Sequence, residues 1–441
     1  MDLITPNINK KMRAMLSRDM LKLLKLCGAL AEESGLRAYV VGGFVRDLLL
    51  GVRNLDVDLV IEGDAIEFGR KMARRLRGKL VPYSRFGTAT IYMHWPPGKR
   101  SRKFKIDLAT ARTESYERPA ALPKVKFGTI REDISRRDFT INAMAVSLTR
   151  KDFGNLLDFF GGKEDLSKKK IRVLHDASFV DDPTRIFRAI RFAERYHFTI
   201  EKHTEDLIKH AVNLKSFEHT SKERIRNEIA LLLSEDYPLN AVKKMARFHE
   251  LRFIHPDIKL GAQMEKEFAA ARRAIRWFRG SHQRDDQRHL DAWIIYFMIL
   301  IRGLTYRQAK VLCDRFALSK WDRLRILSFI KDGSKLIKRL SSSKRLKPSE
   351  IYRVLNPISY ETILAMMAVA KTKRVRNRLT NFIVKYSAVK VYVGGEDLRK
   401  MGLRPGPEYR KLLEKLLWAK LDLSLDTKRD EMVYLKRLIK K

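Results

Sequence analysis

The sequence predicts an α+β fold in which a small mixed β-sheet unit is followed by an all-helical remainder. Three observations predict it. Residues 38–63, AYVVGGFVRDLLLGVRNLDVDLVIEG, read as strand, glycine turn, short helix and second strand. Alternation typical of half-buried strands returns at Thr88–Met93 and Phe104–Leu108. Beyond about residue 155 the segments read as helices through to the end.

In chain order, residues 1–36 carry helical periodicity through Leu21, Leu24, Ala29 and Leu30, stop at Ser34-Gly35, and are expected to pack behind the sheet. Ala38–Val41 is a short buried strand that Gly42-Gly43 break. Phe44–Leu50 make two turns of helix, and Leu55–Ile61 alternate as the second strand. Asp56 and Asp58 on that strand are two residues apart and so face the same way. Two adjacent carboxylates repel unless a cation lies between them, and a hard oxygen site of this kind suits Mg²⁺. The Gly-Gly turn lets backbone approach a phosphate, and the N–H groups opening the next helix are unpaired donors. Arg46, with Asp47 beside it, can reach the same anion. Either feature alone is more often an ordinary turn or a solvated aspartate pair. Together, in this order, they point to nucleotidyl transfer from a nucleoside triphosphate.

The string GGFVRDLLLG followed by DVD resembles the signature of the class II tRNA nucleotidyltransferase and bacterial poly(A) polymerase family, within the polymerase β superfamily. The resemblance implies a small mixed β-sheet nucleotidyltransferase head followed by an all-helical neck, body and tail. The expected divisions are 1–155 for the head with its N-terminal helix, 156–240 for a nucleotide-selecting neck, and 241–441 for a basic body and tail that bind RNA.

Further stretches carry the resemblance. After a helix at Ala65–Leu76, Asp107 on a later strand is either a third carboxylate beside Asp56 and Asp58 or a solvent-facing strand residue. Residues 110–128 are proline-punctuated and read as a loop over the site, where the family has a flexible loop; Arg112 and Glu114 are candidates for coupling it to the nucleotide. Arg136–Met144, RRDFTINAM, matches a family motif without departure. Arg137 can hold phosphate, while Asp138 and Asn142, one helical turn apart, can both bond a ribose hydroxyl. LDFFGG at 157–162 reads as a structural glycine turn.

Asp181-Asp182-Pro183-Thr184-Arg185 resembles the family's Glu-Asp-x-x-Arg motif, with Asp181 one methylene shorter than the usual Glu. The structural reading is a helix start, with Asp182 as cap and Pro183 at the first helical position. The functional reading is base selection. Cytosine and adenine both place an exocyclic amine beside an unprotonated ring nitrogen, so Asp182 can accept from the first while Arg185 donates to the second. Uracil and guanine present the reverse pattern. Arg188 and Arg191 continue a basic stripe that could hold triphosphate or primer backbone, or be a solvated face. In SKERIRNE at 221–228, Ser221 as cap and Arg224 or Arg226 pairing with Glu228 make a structural helix start.

The 441 residues carry 92 Lys and Arg against 52 Asp and Glu, a net charge of +40, far beyond what solubility requires and fitted to a polyanion. A membrane surface is the competing partner. No 18-residue apolar run or signal-like opening exists, so a soluble cytoplasmic protein is expected; the sequence leaves the oligomeric state open, with a monomer favoured. Cys27 and Cys313 have no neighbouring ligand-type residues and read as small core residues. Past residue 240 the resemblance fades. Basic runs with interleaved aromatics remain, notably Arg272, Arg273 and Arg276 with Trp277, and Lys373, Arg374 and Arg376 within an acid-free stretch at 371–390.

The resemblance implies addition of C, A or both from CTP and ATP to a tRNA 3′ end, whether CCA, CC or the terminal A. A poly(A) polymerase is the alternative, and a catalytically silent RNA-binding protein the remote one.

Overall fold

The structure, a computed structural model, describes residues 6–53, 56–96, 98, 101–115, 124–214, 220–249, 251–281, 290–423 and 425–439. The chain divides into two compact units, Met1–Arg224 and Ile225–Lys441.

The first unit opens with helices α1 (Asn9–Met15) and α2 (Arg18–Glu33). Strand β1 (Arg37–Val41) leads into α3 (Gly43–Leu50), β2 (Val57–Glu62), α4 (Ala65–Leu76), β3 (Lys79–Tyr83), β4 (Thr88–Trp95) and β5 (Arg102–Thr110). The predicted second strand begins later than its alternation implies: Asp56 is exposed just ahead of β2, and Leu55 lies outside the described residues. Residues 110–128 are not simply a loop. β6 (Arg112–Ser115) and β7 (Lys124–Phe127) pair antiparallel as the stem of a hairpin, whose residues 116–123 lie outside the described set.

After α5 (Ile130–Ser135) come a 3₁₀ turn at Thr140–Asn142, β8 (Ala145–Ser147) and β9 (Leu156–Leu157). Seven strands form one sheet in the order β3-β4-β5-β2-β1-β8-β9. Its neighbours are antiparallel except β2 and β5, which run parallel and make the sheet mixed. Helix α2 packs behind it as expected, so closely that a Cβ on Gly28 would lie 1.8 Å from the Leu148 carbonyl oxygen. Cys27 on α2 is fully buried, and that burial pushes its thiol up to about 12.

The segment after the sheet holds α6 (Gly162–Ser167), β10 (Lys170–Ile171), α7 (Ser178–Asp181), α8 (Thr184–Tyr196), β11 (Thr199–Ile200), α9 (Lys202–Asn213) and α10 (Lys222–Leu233). It is not purely helical, because β10 and β11 pair in parallel. Such two-residue strands are too short to give an alternation signal.

In the second unit the expectation of helices holds from α11 (Leu239–Arg247) and α12 (Leu251–Ile254) to the end. Its core is built on α13 (Ala262–Ser281), α14 (Ala292–Ile301) and α18 (Tyr360–Val369), where Phe268 and Tyr296 stack with centroids 5.2 Å apart. Helices α16 (Lys320–Leu340) and α19 (Lys373–Asn381) pack on that core, α15 (Tyr306–Arg315) packs on α16, and α17 (Pro348–Leu355) on the later helix α21 (Pro407–Leu423). Cys313 is buried on α15, its thiol pushed up to about 11 by burial. The last helices, α20 (Gly395–Lys400), α21 (Pro407–Leu423) and α22 (Lys428–Ile439), close a separate cluster of Val393, Leu398, Leu416 and Leu435. No helix among the described residues is long and apolar enough to cross a membrane.

Candidate active site

A pocket of about 560 Å³ in the first unit brings together Gly42, Gly43, Arg46, Asp58, Arg137, Asp138, Asn142, Asp182, Arg185 and Arg188. Its floor is the β1–α3 turn. Gly42 has φ 64° and ψ −126°, a conformation that side chains rarely adopt, and it turns the chain from β1 into α3, so that Gly42 and Gly43 line the pocket. Arg46 on α3 is buried and held from two sides: Nε donates to Asp47 Oδ1 at 2.8 Å and Nη1 to Asn142 Oδ1 at 2.6 Å. Its guanidinium also lies 4.6 Å from the centre of the Tyr196 ring. Asp47 stands behind Arg46, accepting from it and from the Tyr196 hydroxyl at 3.3 Å, and does not line the pocket.

Opposite the glycines, Arg137 Nη2 donates to Asp133 Oδ2 at 3.0 Å, and Asp133 also holds Arg136. Asp133 is completely buried on α5, so one carboxylate fixes both arginines. Sequence reasoning missed it, although its spacing of three and four residues from the arginines is a helical pairing signal. The Nε of Arg137 is buried with no acceptor among the described residues.

The acidic side rests on the parallel β2–β5 pair, in which Asp58 and Asp107 are aligned partners and so share a face. Asp107 is thus neither a lone solvent-facing residue nor free, for its carboxylate accepts from Thr90 Oγ1 at 2.7 Å and Lys105 Nζ at 2.8 Å. Burial pushes the Asp58 carboxyl up and the Asp107 charge adds to this; Arg137 and Lys105 pull it back, Asp56 pushes it up again, and the net direction is upward. Carboxylates crowded in this way favour a hard cation. Among the described residues no three acidic, imidazole or thiol groups converge closely enough to hold one unaided. Asp56 is exposed and is not part of the pocket lining.

Asp138 and Asn142 bond each other, Nδ2 of Asn142 donating to Asp138 Oδ1 at 3.0 Å, with a 3₁₀ turn at Thr140–Asn142 in place of the helical turn expected. Asp138 Oδ2 accepts from Arg188 Nε and Nη2 at 2.9 and 2.6 Å. Burial alone would raise the Asp138 carboxyl. The Arg188 charge, with bonds from Asn142, Arg188 and the Phe139 N–H, outweighs it and holds the group below the ordinary carboxylate range.

On the remaining wall Asp182 Oδ1 accepts from the Thr184 N–H at 3.1 Å and its hydroxyl at 2.6 Å, so the aspartate does brace the helix start. Pro183 is the capping residue and α8 begins at Thr184, one residue later than predicted. Arg185 donates to Ser178 Oγ at 2.7 Å and to the Arg136 carbonyl at 2.9 Å. Arg224, read from sequence as a local helix partner, reaches 42 residues back to Asp182 Oδ2 at 2.6 Å and lines the pocket. No local spacing could have announced that. Arg226 instead donates to the carbonyls of Phe316 and Ala317. The stripe on α8 is not a solvated face, since Arg185 and Arg191 are buried; Arg191 lies over the Phe192 ring at 4.8 Å and is not part of the lining.

Arg112 lines the pocket at the hairpin stem and donates to the Phe86 carbonyl at 2.7 Å. Glu114 is placed on β6, opposite Val125. In the second unit, Arg272 and Arg276 both pair with Asp236, and Arg272 lies 4.5 Å from the Tyr237 ring centre. Arg374 and Arg376 donate to the carbonyls of Ser341 and Ala370, whereas Arg273 and Lys373 are exposed.

Comparison with known proteins gives a consistent result. Residues 38–172 match a family model described as the poly A polymerase head domain, and residues 197–260 one described as a probable RNA and SrmB-binding site of polymerase A. The A-adding tRNA nucleotidyltransferase of Geobacter sulfurreducens is 36% identical over 96% of this chain, which spans about half (47%) of that protein. The A-adding tRNA nucleotidyltransferase of Halalkalibacterium halodurans is 30% identical over 97% of this chain and 95% of its own length. A Thermotoga maritima CCA-adding enzyme solved with tRNA superposes with a TM-score of 0.73, at 34% identity over 98% of this chain and 99% of that one.

Proposed function

Because the chain belongs to the tRNA nucleotidyltransferase and poly(A) polymerase family, we propose that it extends the 3′ end of tRNA from ATP, CTP or both, without a nucleic-acid template. The observation that carries this is the convergence, in one pocket, of a glycine-opened helix, an aspartate from the acidic strand pair and an Asp182–Arg185 pair. In this reading the RNA 3′-hydroxyl attacks the α-phosphate of the nucleotide and pyrophosphate leaves. Gly42, Gly43, Arg46 and Arg137 hold the triphosphate, and Asp138 with Asn142 meets the ribose. Asp182 accepts from the exocyclic amine of cytosine or adenine, and Arg185 donates to the neighbouring ring nitrogen. Arg224, donating to Asp182 Oδ2 at 2.6 Å, holds that carboxylate in place.

The donor set fits a hard divalent cation. Asp56 and Asp58, with Asp107 beside them, would hold Mg²⁺, and phosphate oxygens and water would supply the remaining ligands. Bound there, the ion would favour the ionised hydroxyl and offset charge on the leaving pyrophosphate. The +40 net charge supports an RNA acceptor over a small molecule.

The A-adding relatives favour addition of the terminal adenosine, and the CCA-adding structure favours the whole triplet. Transcripts of tRNA ending at the discriminator base, at C and at CC, each incubated with Mg²⁺ and single nucleotides, decide between them by product length. One A added only to the CC transcript supports A addition. Long tails on tRNA and unrelated RNA alike would make the chain a poly(A) polymerase, and no extension of any RNA would overturn the reading. In the same assay Arg185→Ala should let UTP and GTP compete, and unchanged selectivity would remove Arg185 from base reading.

A further inference from the structure

Next to the candidate active site lies a second cavity of about 260 Å³ that shares Phe86 and Arg112 with it. Its walls combine two exposed phenyl rings, Phe127 at 74% and Phe86 at 40%, with the cations Arg85, Arg112 and Lys126. The Arg85 guanidinium lies 5.5 Å from the Phe86 ring centre, and Arg112 donates to the Phe86 carbonyl. The acidic group in the lining, Asp64, is engaged in capping α4, accepting from the N–H groups of Ile66 and Glu67 at 2.8 and 3.0 Å. Backbone bonds frame the cavity: Thr110 N–H to the Gly87 carbonyl at 3.0 Å, and Gly128 N–H to the Ala111 carbonyl at 2.9 Å.

Aromatic rings held in water beside several cations match the two faces of a single-stranded nucleotide, its base and its phosphate. The triphosphate already has its own cradle at Gly42, Gly43 and Arg137. An RNA strand whose 3′-hydroxyl reaches Asp58 must also place its preceding nucleotide somewhere close by. We propose that this cavity seats the nucleotide just upstream of the acceptor's 3′-terminal residue, with the base stacked on Phe127 and the phosphate met by Arg85 and Lys126. The proposal rests on the function proposed above and adds a subsite to it.

Phe127→Ala and Phe127→Trp, made in the full chain, test it through separate KM values for ATP and for the tRNA transcript that the native chain extends. The exposed position makes misfolding an unimportant factor, and the tryptophan variant controls for it. Phe127→Ala should raise the KM for tRNA about tenfold and leave that for ATP unchanged, with Phe127→Trp restoring the native value. An unchanged KM for tRNA, or a rise confined to ATP, which would mark a free-nucleotide site, overturns the proposal. Should the native chain extend no RNA, the functional reading falls separately. Binding of the dinucleotide CpC then judges the cavity: about tenfold weaker binding to Phe127→Ala supports it, and equal binding overturns it.

Discussion

Replacing Gly42 and Gly43 by alanine, one at a time, separates two roles that the sequence leaves merged. At Gly42 the backbone has φ 64° and ψ −126°, and holding a non-glycine residue in so sparse a region costs roughly 1–3 kcal/mol. The new Cβ would also lie 2.8 Å from Nη1 of Arg137, whose other terminal nitrogen is fixed by Asp133 at 3.0 Å. Relief must come from moving the arginine or the turn, and both belong to the proposed triphosphate cradle. For a unit of this size the backbone cost alone lowers Tm by about 2–12 °C. Gly43 is the first residue of α3, and a Cβ there meets nothing nearer than Arg46 Nη2 at 3.5 Å, an ordinary contact. Gly43→Ala should therefore melt at or slightly above the native temperature. Thermal melts followed by circular dichroism, with and without ATP, read both effects: Gly42→Ala loses stability and the upward shift caused by ATP. If the two variants melted together, the conformational argument for Gly42 would be refuted.

Two further outcomes concern the carboxylates. Asp58→Ala should abolish nucleotide incorporation and the rise in Tm on adding Mg²⁺, while tRNA binding in a filter assay stays near native; a full metal-dependent shift in the variant would take Asp58 out of the cation site. Arg188→Met removes the charge paired with Asp138, a partner only 9% exposed, and with Arg188 itself 32% exposed the cost is discounted to about 2 kcal/mol at pH 7. Because the folded Asp138 carboxyl is held below its unfolded value, its stabilisation is present above that value, about 3.9, and is lost as pH falls through the folded one. The gap in Tm between native and variant should hold from pH 7 down to about 4 and narrow only as pH falls further, toward the folded value. A gap independent of pH would show that Arg188 acts by packing alone.

Much of the site was legible because its parts are local. A strand broken by two glycines and a short helix are patterns set by backbone geometry within a few bonds, and the structure returns them nearly as read; of the two aspartates only Asp58 lies on β2 and lines the pocket. The misjudged features are those whose outcome depends on partners elsewhere. The proline-rich stretch at 110–128 looks aperiodic, yet its ends pair as a hairpin because β6 meets β7, which no single window reveals. Asp107 could be read as either a site carboxylate or a surface residue, since only the parallel register of β2 on β5 sets it beside Asp58. The α8 arginines could be read as either a phosphate-holding stripe or a solvated face, since helical spacing shows a face without showing what covers it; Arg185 and Arg191 are buried.

The sequence by itself determined the order of elements, the glycine turn, the acidic positions and a net charge of +40. Those properties follow from steric limits on φ and ψ, from the periods of strand and helix, and from summed charge, all of which are additive along the chain. Only the tertiary structure decided which cation serves which side-chain acceptor: Arg188 on Asp138 across 50 residues, Arg224 on Asp182 across 42, and Arg46 on the Asn142 amide oxygen across 96. Hydrogen bonds and ion pairs depend on separation in space, which falls off within a few ångströms and bears no fixed relation to separation in sequence.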